Sequence, residues 1–147
     1  MTNQQTAQVG IHAICDELAK RGARDIRVWK EGNRQRIGFL SKNGGQYVVA
    51  PRSKRSGTWQ TSIAYGKPCG ENPIEREYWI FVDIGVEPHV FYPVPAWWIA
   101  NDIYEVHQGY LKTHGGHRRF NDDSNHHGVS EKRIRAWEGR WDRLGLG

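Results

Sequence analysis

The sequence predicts an α/β fold of the α+β kind, a central sheet flanked by helices, and three observations carry that prediction. Apolar residues recur at three- and four-residue spacings near the start of the chain and again after Pro95. Short β-branched and aromatic runs, separated by turn residues, fill the space between these helical patterns. One separator, Asn43-Gly44-Gly45, is a strong hairpin signal, because Asn and Gly both tolerate positive φ. A chain that runs helix, strands, helix, loop, helix buries its apolar faces by setting helices against a sheet.

The elements follow in order. Residues 9–21 place Val9, Ile11, Ala13, Ile14, Leu18 and Ala19 on one amphipathic helix, closed by Gly22. Ile26, Val28 and Trp29 suggest a brief strand. Residues 36–42 and 46–50 form the hairpin around Asn43-Gly44. Residues 51–57, with Arg52, Lys54 and Arg55 among serines and a glycine, read as an exposed basic loop or strand end. Residues 59–64 alternate as a half-buried strand does, and residues 66–73 are rich in turn formers. Residues 78–84 (YWIFVDI) are apolar nearly throughout, which suits a central strand covered on both faces. The 46–50, 59–64 and 78–84 segments are expected to share one sheet, with the Pro95 helix packed on it. A short strand at 89–92 comes next, and Pro95 opens a helix to about Thr113. Residues 114–128 are polar and read as a loop, after which Ser130 caps a last helix carrying Ile134, Trp137, Trp141 and Leu144, ended by Gly145. Trp97 and Trp98 diverge by about 100° on a helix, so one of them is expected to be exposed or at an interface.

The length of 147 residues suits one domain, with residues 114–147 as a loop and helix extension. Seven Trp, six Tyr and four Phe supply core surface that a disordered chain lacks. There is no apolar run long enough to span a bilayer and no basic-then-apolar leader, so membrane insertion and secretion are disfavoured. With Cys15 and Cys69 alone, neither a disulfide framework nor an all-cysteine zinc site is available, and a reduced, cytoplasmic location is expected. The charge is uneven: residues 1–70 hold 12 basic and 4 acidic side chains, and the remainder 9 and 12. A basic excess confined to the first half favours a polyanionic partner, because each phosphate neutralised by Lys or Arg releases condensed counterions.

The leading helix, the hairpin, the basic loop, the TWQTS segment (Thr58 to Ser62) and the YWIFVDI strand together resemble the PD-(D/E)XK nuclease superfamily, in particular its small bacterial members. The resemblance covers roughly residues 10–112. Trp59-Gln60 and Phe81-Val82-Asp83 are its most specific part. It implies a restriction-endonuclease-like mixed central sheet flanked by helices and a hairpin whose carboxylates hold Mg²⁺ for phosphodiester hydrolysis, with a lysine polarising the nucleophile. Aligned backward from Trp59-Gln60, the metal-binding Asp position falls at Gly38, the second carboxylate position at Ala50 and the lysine position at Arg52. A glycine and an alanine cannot ligate a metal, and a guanidinium cannot serve as a base. The resemblance therefore implies a scaffold that has lost its catalytic centre, with no cofactor.

Three functions remain open. The first is a catalytically degenerate, nuclease-like module that binds DNA through Arg52, Lys54, Arg55, Trp59 and Gln60, assisted by Lys20, Arg21 and Arg24. The second is an active Mg²⁺-dependent endonuclease with relocated ligands, for which Glu17, Arg52 and Asp83 are the candidate catalytic groups; Glu17 reads equally as a solvated helix charge beside Arg21, and Asp83 as a turn cap. The third is a protein-interaction module using the former substrate groove. Superfamily members often act as dimers, so a homodimer is implied by the resemblance. His107, His114, His117, His126 and His127, with Asn121, Asp122, Asp123 and Asn125, offer metal-binding side chains but match no standard zinc spacing, and a polar surface loop is the simpler expectation.

Overall fold

The computed structural model describes residues 1–115 and 125–147. Helix α1 (Asn3–Lys20) starts six residues before the predicted start, because Thr2 and Gln5 form a reciprocal capping box that satisfies the first turn. Strands β1 (Arg24–Glu31) and β2 (Arg34–Leu40) form a hairpin across Gly32-Asn33, with Gly32 at φ +61°. The predicted Asn43-Gly44 turn joins β2 to β3 (Gln46–Lys54); the Ser41 and Gly45 backbones bond across it, and Asn43 Oδ1 accepts from Gly45 N–H.

The main sheet has the order β1-β2-β3-β5-β6, where β5 is Glu77–Asp83 and β6 is Val90–Pro95. Strand β5 runs parallel to β3 and antiparallel to β6, so the sheet is mixed, as expected. The basic segment is a strand end followed by bends: Pro51, Arg52, Ser53 and Lys54 continue β3 along β5, with Pro51 and Lys54 buried rather than exposed, and residues 55–57 leave the strand. The β2 ladder stops at Ile37 opposite Val49, so Pro51 lies where β3 has a partner on one side only and its missing N–H is tolerated.

Strand β4 (Trp59–Ser62) corrects the expectation of a single sheet. It pairs antiparallel with β7 (His126–Val129) in a separate two-stranded ribbon. Strand β7 in turn occupies part of the predicted loop at 114–128; His117, Asn121, Asp122 and Asp123 lie outside the described residues. A 3-10 turn at Ile63–Tyr65 follows β4.

Alternation along β3 and β5 builds two cores. On the first face, α1 sets Ile11, Ile14 and Leu18 against Ile37, Phe39, Tyr47, Val49, Tyr78, Ile80 and Val82. Gly10 permits the close approach, since a Cβ there would fall 1.7 Å from Ser53 Oγ. On the second face, α2 (Ala96–Thr113) and the β4–β7 ribbon cover Trp79, Phe81, Tyr92 and Val94 with Ile99, Ile103, Trp59 and Val129. Trp97 and Trp98 are both half-buried, and Trp98 meets Trp137 edge-on with ring centroids 5.9 Å apart.

The last predicted helix is broken. Glu131–Ile134 forms one α-helical turn (α3), and 3-10 turns at Arg135–Trp137 and Trp141–Leu144 follow on either side of Gly139, which has φ +65°. The break carries the chain around the β6 edge, where Gly139 N–H donates to the Phe91 carbonyl. Ile134 thus joins the second core, while Trp141, Leu144 and Leu146 join the first.

Candidate nucleic-acid interface

The predicted DNA-contacting residues divide sharply by position. Trp59 is 0% exposed; its ring packs edge-on against Phe81 and Tyr92, and its indole N–H donates to the Val82 carbonyl at 3.0 Å. Lys54 is 6% exposed and its ammonium reaches Glu131 at 2.7 Å and Asp83 at 3.5 Å, over the Trp59 ring. Trp59 is withdrawn from the surface, which corrects its assignment as a DNA contact; Lys54 has its ammonium taken by two carboxylates, and it lines with Arg55 and Gln60 a cleft of about 420 Å³ between α1 and the end of β3. Arg55 is exposed but tied to Thr6 Oγ1 and the Met1 carbonyl, and Gln60 is exposed with its amide on Thr58 Oγ1. Lys20 and Arg21 stand at the end of α1; Arg21 pairs with Glu17 at 2.7 Å and lies over Trp141. Arg24 is exposed at the start of β1.

The candidate catalytic groups do not converge. Glu17 sits on α1, over the first sheet face, and is held by Arg21. Arg52 faces the other side, its guanidinium 4.6 Å from the Trp79 ring in the second core. Asp83 ends β5 bound to Lys54, and also accepts the Gly85 N–H at 2.9 Å, the turn-capping role expected for it. At Asp83 a divalent cation would meet an ammonium already shared by Asp83 and Glu131, with Glu17 far off on α1, so this donor set does not fit Mg²⁺. Among the described residues, no group of three His, Cys, Asp or Glu side chains is placed to hold a metal.

The positions aligned with the superfamily's metal site do share a face. Gly38 lies opposite Val48, and alternation puts Ala50 and Arg52 on the same side of β3 as Val48. The space in front of Gly38 is taken: a Cβ built there lies 2.8 Å from the Trp29 ring and 2.9 Å from the Arg27 guanidinium. A carboxylate at this position has no room while that indole and guanidinium stay where they are.

What sequence reasoning missed is the surface around this filled position. The β1–β2 register sets Trp29 opposite Arg36, Arg27 opposite Gly38 and Glu31 opposite Arg34. Hairpin pairing therefore gathers Arg27, Arg34 and Arg36 on the side where Arg52 emerges, beyond the area that α2 covers. Arg34 stacks over Tyr65 at 4.4 Å, Arg52 over Tyr65 at 5.7 Å, and Arg27 over Trp29 at 5.9 Å. Tyr65 is itself held edge-on by Trp79, with centroids 5.0 Å apart. Burial pushes the Arg52 guanidinium below its usual range; Tyr65 opposes this, while the positive charges of Arg36 and Arg34 add to it. Glu31 answers these charges at 3.7 Å from Arg36, and the register sets Glu77 on the same face beside Val48. The sequence did hold a signal: Arg34-x-Arg36-x-Gly38 and Arg27-x-Trp29 both have strand period, and Gly32-Asn33 is a two-residue hairpin loop.

No family model matches the chain, and no curated protein or solved structure is significantly similar to it. Among the described residues, no helix is long and apolar enough to cross a membrane.

Proposed function

We propose that this protein is a DNA-binding module without cleavage activity, built on a nuclease-like scaffold. The observation that carries the reading is the arginine face itself: Arg27, Arg34, Arg36 and Arg52 gathered on one side of the sheet among aromatic rings, with Glu31 as the neighbouring carboxylate. Like charges held this close repel one another, and a phosphate backbone relieves that repulsion while releasing its counterions. The absence of cleavage rests on chemistry at the aligned positions: Gly38 and Ala50 offer no ligand, Gly38 is covered by Trp29, and Arg52 stays protonated.

The test is the salt dependence of DNA affinity. The triple variant Arg27→Ala, Arg34→Ala, Arg36→Ala should flatten the slope of log K against log salt by about 0.9 for each duplex phosphate no longer neutralised, or about 0.7 for single strands. Lys20→Ala, at the end of α1 over the opposite sheet face, should leave the slope unchanged. Failure of the protein to bind DNA even at low salt would defeat the reading.

A further inference from the structure

We propose that the arginine face takes unstacked bases, which makes its preferred ligand a single-stranded rather than a duplex nucleic acid. This rests on the nucleic-acid reading above and goes on to name the form of the ligand. A phosphate asks only for a positive charge on a mobile stem, and lysine supplies that as well as arginine. The cations here are instead planar guanidiniums set over aromatic rings. Trp79 meets Tyr65 edge-on, and the guanidinium carbon of the exposed Arg34 lies 4.4 Å over the Tyr65 ring centroid, so the ring takes one side of the cation. A planar cation held this way offers a stacking platform to a base, and bases inside a duplex are already stacked on one another.

The turn beside the platform supports the same conclusion. The exposed Asn33 amide, in the β1–β2 turn next to Arg34, carries both donors and acceptors, which can meet a base edge only when that edge is free of its pairing partner. Across the platform, Trp29 on the outer strand β1 is half-buried beneath Arg27 and provides a second ring on the same face.

The experiment compares three fluorescent probes of about 12 residues, within the usual site size of single-strand binders: oligo(dT), an abasic deoxyribose-phosphate oligomer, and a duplex. Oligo(dT) should bind about tenfold or more tighter than either of the others at equal salt. Arg34→Lys, which keeps the charge and removes the plane, should weaken oligo(dT) binding by about 5- to 150-fold, the range for losing one stacked base, and by more than it weakens binding of the abasic oligomer. Arg34 is exposed, so this change should not affect folding, and the probe comparison on the unaltered protein is independent of it. Equal affinity for oligo(dT) and the abasic oligomer, or tightest binding to the duplex, overturns the inference and leaves a phosphate-only DNA binder. No binding of any probe at low salt overturns the inference and the DNA-binding reading together.

Discussion

The ammonium of Lys54 lies 3.5 Å from the Asp83 carboxylate, with both side chains withdrawn from solvent at adjoining ends of β3 and β5. Glu131 completes the arrangement from α3, so these charges tie the C-terminal segment to the sheet. Removing one member of a buried pair leaves the other uncompensated. Lys54→Met should therefore cost about 3–5 kcal/mol, and adding Asp83→Asn should recover most of the loss, as measured by urea denaturation. Lys54→Met should also leave DNA affinity unchanged under conditions where the protein stays folded. A matching loss of affinity would make Lys54 a DNA contact.

Trp59→Ala should be among the most damaging single changes. The ring fills the space between Phe81 and Tyr92, and its N–H satisfies the Val82 carbonyl. Loss of the ring and of that hydrogen bond should cost about 3–5 kcal/mol in chemical denaturation. A small effect on stability with a large effect on binding would mean that the indole is accessible after all.

Purified protein should not cleave DNA with Mg²⁺ or Mn²⁺, and Gly38→Asp alone should not create cleavage. The new carboxylate would meet the Trp29 ring and the Arg27 guanidinium, and overpacking of this kind costs about 1–3 kcal/mol. Trp29→Ala should relieve that cost in the double variant, which a thermodynamic cycle measures directly. Metal-dependent cutting by the wild type that disappears in Glu17→Ala or Asp83→Ala would show a relocated active site.

Alkaline pH should destabilise the fold. Burial raises the Cys15 thiol above its ordinary value of 9.0, helped by Asp16, and burial raises the Tyr78 and Tyr92 phenols above 10.0. The unfolded chain releases these protons at the ordinary values and the folded chain holds them longer. The stability these groups contribute is therefore full below pH 9 and falls as pH rises through 9 and then 10. Urea titrations across that range should show the decline, and Tyr78→Phe with Tyr92→Phe should remove its upper part. A stability flat from pH 8 to pH 11 would contradict it.

The core was more legible in the sequence than the site. Helical spacing and period-two alternation are local, so α2, the Asn43-Gly44 hairpin and the apolar strand β5 could be read directly. The partner of a strand is not local. Residues 59–64 announced a half-buried strand, but nothing in them told that Trp59–Ser62 would pair with His126–Val129, a polar run with one buried apolar residue. The arginine face failed to appear for a related reason. Arg52, Lys54 and Arg55 drew attention because they are adjacent in sequence, yet the fold buries Lys54 and leaves Arg52 beside arginines 16 to 18 positions earlier, brought there by the register of a different hairpin.

The β6 edge decides how copies of this protein can meet. Phe91, Pro93 and Pro95 lie two residues apart and so share one side of an antiparallel strand. That side is the outer one, because the Phe91 carbonyl is engaged by Gly139 rather than by β5. An approaching strand therefore finds its acceptor occupied and two donors missing. At the opposite border of the sheet, Arg24, Arg27 and Lys30 would bring like charges together. Both borders discourage the strand-to-strand polymerisation that open sheets invite, so concentrated solutions should resist fibril formation, and self-association would have to proceed through side-chain surfaces instead of the backbone ladder.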